Sequence, residues 1–253
     1  MVPSVLSYFL IGPRGRANGV PDDTKEFVMK LNELIAWCKE NHAEDIDLTV
    51  VVNAMDTNPA PSDFYLLGDF NDQIGNVRVY NTAFAFKSSK YPMSTSTDKA
   101  TPEYTDRIAK LGSSPKGEGH DNFLNGIMVA FDLTLSNKAW VEAERYHFLD
   151  FMSSQSTMHR IQKFDIAKQC NEYVDPRIIE ILKEYKEKGD YYGMLYNTPA
   201  GFRLTAGMVT NYRQLKTIYD QRKNHRLKEW HGVCDWIETL PYMKDFLGLG
   251  TAA

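Results

Sequence analysis

Residues 127–161 constrain this chain more than any other stretch. Ile127 to Leu135 is an apolar run that reads as a strand buried on at least one face. Directly after it, residues 139–161 (AWVEAERYHFLDFMSSQSTMHRI) set Glu142, Glu144, Arg145, His147, Asp150, four serines or threonines, His159 and Arg160 among aromatic and aliphatic anchors. A buried donor or acceptor without a partner costs about 1–3 kcal/mol. A segment that only filled a core would not carry so many such groups. Two readings follow: the floor of a binding site, or an amphipathic helix running into a Ser-rich loop whose polar groups cap and face water.

With 253 residues, 43% of them apolar and 25% charged, the chain can bury a sizeable core as one large domain or two small ones. The net charge of −4 gives no global attraction to nucleic acid or anionic membrane, so an anion site must be a local cluster. Cys38, Cys170 and Cys234 are an odd number, far apart and without a CxxC, which suggests neither a disulfide framework nor a thiolate zinc site. No other metal-ligand motif and no Ser-His-Asp spacing occurs. A reducing cytoplasm is the expected compartment. The N-terminal SVLSYFLIG lacks a basic flank and is too short for a signal segment, and no run of 18 apolar residues is present. No membrane partner is expected.

Arg14 and Arg16 lie in a Gly-rich loop without the GK[ST] ending of a P-loop, so a solvated loop is expected there. Asp22 to Asn41 has the spacing of an amphipathic helix, and Ile46 to Ala54 reads as a strand. An irregular connection follows, then a second strand over Val77 to Phe86 and a surface loop from Lys87 to Thr101. Pro102 to Leu111 suggests a short helix with Pro at its first position. Asp175-Pro176 starts a helix that Gly189 stops, with Ile178, Ile179, Ile181, Leu182 and Tyr185 inside. From Leu204 the pattern is helical through Leu240, with Asn211, Tyr212, Leu215, Ile218, Tyr219 and Arg222 on one broad face. Lys216, Lys223 and Lys228 read as a solvated basic face. Asn211, Arg213 and Arg222 fall among apolar neighbours, a placement suited to clamping a planar ring or a phosphate. His120, just before the Ile127 strand, can point into a cleft.

The order of these features resembles the flavin-dependent thymidylate synthases, the ThyX family. GHDNFL, the strand FDLTL, AWVEAERYHF, SSQSTMHRI and NYRQLKTIYDQRKNHRLKEW follow the family's GHxSPFEH-like segment, strand, QWWRHR-type helix, SxNExSxRY and NxRxLxxFxxLRxxxxAQWE helix. The resemblance covers roughly Asp106 to Leu240, about half the chain. It implies an α+β fold with a central mixed or antiparallel sheet flanked by long helices. Residues 1–100 are then an N-terminal α/β segment of unassigned role packed on a flavin- and nucleotide-binding domain over 101–253.

The resemblance also implies roles. His120, Asn122, Arg145, His147, Asn211 and Arg213, with His225 or Arg226, would hold FAD; Arg222 would orient the uracil of dUMP. Ser156 and Arg160 would address ribose or phosphate, with Arg203 in place of the family's phosphate arginine. The chain departs from the family at RYHF, which replaces RHR, and at SSQSTMHR, where either Ser156 or Arg160 takes the family register. The activity implied is reductive methylation of dUMP, with methylenetetrahydrofolate giving the carbon and NADPH the electrons. A homotetramer sharing flavin sites between chains is implied as well. The alternatives are a flavin-dependent homologue acting on another pyrimidine nucleotide, or a non-catalytic nucleotide- or nucleic-acid-binding protein using the six Lys or Arg between Arg213 and Lys228. Nucleic acid is not the expected partner. Arg222→Ala is expected to remove nucleotide binding with little loss of folding stability.

Overall fold

The computed structural model describes residues 61–250. The readings at Arg14, Arg16, Asp22–Asn41 and Ile46–Ala54 lie outside the described residues. Five strands form one sheet: β1 (Phe64–Gly68), β2 (Ile74–Tyr80), β3 (Met128–Ser136), β4 (Leu149–Ser154) and β5 (Arg203–Asn211), in the order β1-β2-β3-β5-β4. Every pairing is antiparallel. The fold is therefore α+β with an antiparallel sheet. The strands β1 and β2 hydrogen-bond into the sheet that carries β3 and β5, so residues on both sides of position 100 share one core.

Seven helices of six residues or more accompany the sheet among the described residues: α1 (Thr82–Ser89), α2 (Asp106–Gly112), α3 (Asn137–Ala143), α4 (Pro176–Glu187), α5 (Tyr191–Tyr196), α6 (Tyr212–Arg222) and α7 (Glu229–Thr239). The longest, α4, has 12 residues, so the helices are shorter than the resemblance implied. Leu215, Ile218, Trp230, Val233, Trp236 and Ile237 of α6 and α7 share the main core with Val129, Phe131, Leu133, Ala206 and Met208 of the sheet. Phe131 and Trp236 meet at a ring distance of 4.5 Å. A second, smaller core joins Ile161, Ile166, Leu182, Met194 and Phe202.

Three stretches depart from the sequence reading. Leu204–Thr210 is strand, not helix: Ala206, Met208 and Thr210 are buried in alternation while β3 and β4 hydrogen-bond to either side. That period of two, with β-branched Thr205, Val209 and Thr210, outweighs the helical spacing that begins only at Asn211. The second strand stops at Tyr80, because Asn81 takes a left-handed backbone (φ 72°) and its Nδ2 donates to the Gly126 carbonyl at 2.9 Å, starting α1. The helix expected from Pro102 begins at Asp106. The helix from Pro176 behaves as read, ending where Gly189 adopts φ 67°. Of its apolar residues Leu182 is fully buried, while Ile178 and Ile181 are exposed.

Residues 139–161 match neither reading fully. Ser136 caps α3, its Oγ accepting the Ala139 N–H at 3.2 Å, and the helix ends by Ala143. The Ser-rich part is divided: Ser153 and Ser154 end β4, an edge strand in which only Leu149 is buried, while Gln155 and Ser156 lie outside any element and Thr157 opens a short helical turn.

Candidate functional site

Asn211 ends β5 and begins α6. Its side chain is buried and its Oδ1 accepts the Gln214 N–H at 2.8 Å, so it is the helix cap. Capping sets the rotation of α6, whose inner face buries Tyr212, Leu215, Ile218, Tyr219 and, in its last turn, Arg222. A buried guanidinium must be paired, and this one is. Its Nε donates to Tyr146 Oη at 2.6 Å, Nη1 to Glu142 Oε2 at 3.3 Å and Nη2 to the Glu142 carbonyl at 3.3 Å. The cation also lies 4.7 Å from the Trp230 ring centroid and 5.3 Å from that of Tyr146.

The ionisation states fit this arrangement. Burial raises the Tyr146 phenol above its ordinary value against the opposing pull of Arg222, so it accepts as a neutral hydroxyl. For Glu142 burial acts upward, but the charges of Arg145 and Arg222 outweigh it and hold the carboxyl below its ordinary range. His225 is pushed down by burial and then by Arg222, and its Nδ1 accepts the Leu227 N–H at 3.2 Å. Arg226 is exposed.

Tyr146 and Arg222 border a cleft of 510 Å³ whose other walls are Arg145, His147, Phe148, Gln214, Thr217 and Gln221. Three of the predicted site residues, Arg145, His147 and Arg222, thus meet in one place. His120 lies in a different cleft, of 630 Å³, with Arg107, Lys110, Ser113 and Ser114. Arg107, Lys110 and His120 have no ion-pair partner among the described residues. Asn122 is exposed at the start of the turn that follows.

Next to His120 in the chain sits a carboxylate that sequence reasoning missed. Asp121, 2% exposed, pairs with Arg213 Nε at 3.2 Å and Lys216 Nζ at 3.4 Å. Lys216 Nζ also donates to the carbonyls of Gly112 at 2.6 Å and Ser114 at 2.8 Å. Lys216 is therefore not part of a solvated face: it ties the His120 loop to α6. Lys223 and Lys228 are exposed as expected. Arg213, expected to hold flavin, reaches Asp121 through Nε, and its side chain is about one-third exposed.

The remaining predicted residues stand elsewhere. Ser156 Oγ and His159 Nδ1 share a hydrogen bond of 2.9 Å, and Arg160 is exposed. Arg203 grips Asp72 with both terminal nitrogens at 3.0 Å. Arg203 opens β5 and Asn211 closes it, which separates them by about 26 Å of strand rise. Ser154 pairs with Ala206 towards the Arg203 end, whereas Leu149 pairs with Thr210 towards the Arg222 end. One chain does not bring Ser156, Arg160 and Arg203 to the Arg222 cleft. Glu142 was named only as one of the polar groups of residues 139–161, and Tyr146 and Gln221 were missed; the three-residue spacing of Glu142 and Arg145 was the available signal for the pair.

No family model matches the sequence, and no curated protein matches it. Solved structures do. Thymidylate synthase X of Helicobacter pylori with FAD and dUMP is 16% identical over 67% of this chain and 93% of its own, with a TM-score of 0.53. A second structure of the H. pylori enzyme with FAD and dUMP gives 15% identity, 67% and 94% coverage and a TM-score of 0.52. The UMP/dUMP methylase PolB of Streptomyces cacaoi bound with 5-Br dUMP is 12% identical over 75% of this chain and 97% of its own, with a TM-score of 0.50. The chain shares their fold. Among the described residues no helix is long and apolar enough to cross a membrane, and no three His, Cys, Asp or Glu are grouped to hold a metal.

Proposed function

We propose that this chain is a flavin-dependent enzyme that methylates a pyrimidine nucleotide, with dUMP as its substrate and dTMP as its product. The observation that carries this reading is the buried, aromatic-boxed Arg222 at the wall of a cleft with Arg145, His147 and Phe148, on a fold shared with enzymes crystallised with FAD and dUMP. The donor set fits a flavin nucleotide. Arg145, His147 and Phe148 offer donors and an aromatic wall for a planar ring, and Arg107 and Lys110 offer uncommitted cations, beside the His120 ring, for a diphosphate. Asn122 borders that loop. Asn211 and Arg213 act behind the site, as a helix cap and as the ion-pair anchor of the His120 loop.

Bound FAD supplies hydride, with NADPH as the reductant and methylenetetrahydrofolate as the carbon donor. The chain itself binds and orients: Arg222, immobilised by Glu142 and Tyr146, presents its remaining N–H groups to the pyrimidine without reorganisation. His225, held neutral, and Arg226 flank that cation. Ser156 and Arg160 take the ribose or phosphate; Arg203, committed to Asp72, is the weaker candidate for that task. Because these groups lie at the opposite end of β5 from Arg222, the complete site forms between copies in a homotetramer. A cytoplasmic setting belongs to the same reading.

The test is made on purified full-length protein. Expected are a flavin absorbance and NADPH-driven release of tritium from C5 of labelled dUMP that requires methylenetetrahydrofolate. Colourless protein that gains neither colour nor turnover from added FAD overturns the proposal. A protein that fails this test and instead binds oligonucleotides with a steep salt dependence is the non-catalytic alternative.

A further inference from the structure

The wall of the His120 cleft is built in two halves. Arg107 and Lys110, one turn apart on α2, supply its cations. That half is fixed by packing: Ile108 is buried, and Gly112 sits so close to Phe246 that a Cβ there would strike the ring. The other half is the loop after α2, which gives Ser113, Ser114, Pro115, Glu118 and His120 to the cleft. Of these only Ser114 is buried. Gly117 (φ 100°) and Gly119 (φ 77°) turn the chain back, and glycine loses the most conformational freedom when a segment is ordered. Among the described residues, the backbone of 115–119 makes only local hydrogen bonds. Glu118 N–H donates to the Pro115 carbonyl and Asn122 N–H to the Gly119 carbonyl, each at 3.3 Å.

This half of the wall is therefore held at its neck, and Lys216 closes the neck. An ammonium has three protons. They go to the Gly112 and Ser114 carbonyls, where the loop leaves α2, and to the Asp121 carboxylate, where it ends. Asp121 depends on that cation in turn. Its Oδ1 is buried, makes no hydrogen bond and meets Arg213 Nε as an ion pair at 3.2 Å, so without Lys216 a buried carboxylate keeps one loose partner. Lys216 itself stands outside the cleft wall. An anion that uses both halves binds in proportion to the fraction of molecules whose loop is already closed.

We propose that Lys216 and Asp121 are positioning residues of the anion cleft: they touch no ligand, and they set its affinity by keeping the His120 half of the wall in place. This role rests on the reading of that cleft as the diphosphate site of a flavin nucleotide, and it adds the residues that preorganise the site. Linkage makes the effect reciprocal, since a ligand that favours the closed loop must tighten it.

The test is FAD binding to full-length protein freed of flavin, followed by flavin fluorescence, beside hydrogen exchange with and without FAD. In the wild type, FAD should slow exchange in residues 112–121. Lys216→Met, which keeps most of the stem, and Asp121→Asn, which keeps the shape, should each weaken FAD by about tenfold or more. Unchanged exchange in β3 and β5 will show that the variants are folded. Arg107→Ala locates the ligand: it should weaken FAD as well, but leave exchange of the ligand-free loop as in the wild type, because Arg107 is exposed on α2. A wild type that binds FAD with loop exchange unmoved overturns the positioning role and leaves the cleft reading standing. So do folded clasp variants that bind FAD as the wild type does while Arg107→Ala weakens it. FAD that does not bind, or that binds Arg107→Ala with an unchanged constant, overturns the cleft reading and this inference with it. The wild-type exchange needs no variant, and it decides the matter even where a clasp variant does not fold.

Discussion

Arg222 has two tasks, and the structure makes them inseparable. As the last residue of α6 it closes a buried cluster with Glu142, Tyr146 and Trp230, and it also borders the cleft. The sequence suggested a residue dispensable for folding. Its surroundings correct that expectation: removing it leaves the Tyr146 hydroxyl without its Nε partner and takes the cation from the Trp230 ring. Arg222→Ala should destabilise the protein by about 2–4 kcal/mol, combining a lost cation–π contact, a lost buried hydrogen bond and a cavity. Arg222→Lys keeps a charge but not the fork, and should fall between the two. Chemical denaturation followed by tryptophan fluorescence measures both. Wild-type stability in Arg222→Ala would restore the simpler view of an arginine kept only for ligand.

At the scale of elements, α6 is the helix to which the His120 loop is tied. Lys216 holds the carbonyls of Gly112 and Ser114 and the carboxylate of Asp121, so the loop carrying His120 is fastened to the same helix that carries Arg222. Lys216→Met retains most of the aliphatic stem and removes three contacts of the ammonium. It should cost about 1–3 kcal/mol and raise hydrogen exchange selectively in residues 112–121, with β3 and β5 unaffected. Uniform loss of protection would instead mean that Lys216 supports the whole core. This clasp was illegible in the sequence, since nothing local says that a lysine in a basic run meets a loop about 100 residues earlier in the chain. The helix from Pro176 and the strand into Leu135 were legible, because each is decided by neighbours along the chain, whereas Asn211 was read inside a helix and is its cap. Leu204–Thr210 was misread for the opposite reason: its strand state comes from pairing with β3 and β4, which no window of sequence contains. The candidate site was legible as a set of residue types in α6 and around Arg145. Its division between two ends of β5 was not, because that depends on the strand order.

At the scale of the molecule, β4 is the unfinished edge. Among the described residues it hydrogen-bonds only to β5, and of its six residues only Leu149 is buried. Phe151 is 49% exposed and Met152 68%, with Phe148 and Met158 exposed at its two ends. Edge strands that face water are ordinarily guarded by lysine, proline or a short length. This strand carries a bulge between Phe151 and Ser153 but no basic residue or proline. An apolar strand left open in this way is suited to being covered, and a second copy covering it would also place that copy's residues beside Ser156 and Arg160. The full-length chain should therefore sediment as an oligomer, with four copies the expected number. Met152→Lys puts a charge at the centre of the edge and should shift the sedimentation coefficient to smaller species while leaving far-ultraviolet circular dichroism unchanged. Turnover should fall with the oligomer fraction, and raising protein concentration should recover it by mass action. A wild-type monomer with full C5 tritium release would place the complete site within one chain and remove the reason for coupling assembly to activity, whereas a Met152→Lys variant that stays assembled would take β4 out of the interface.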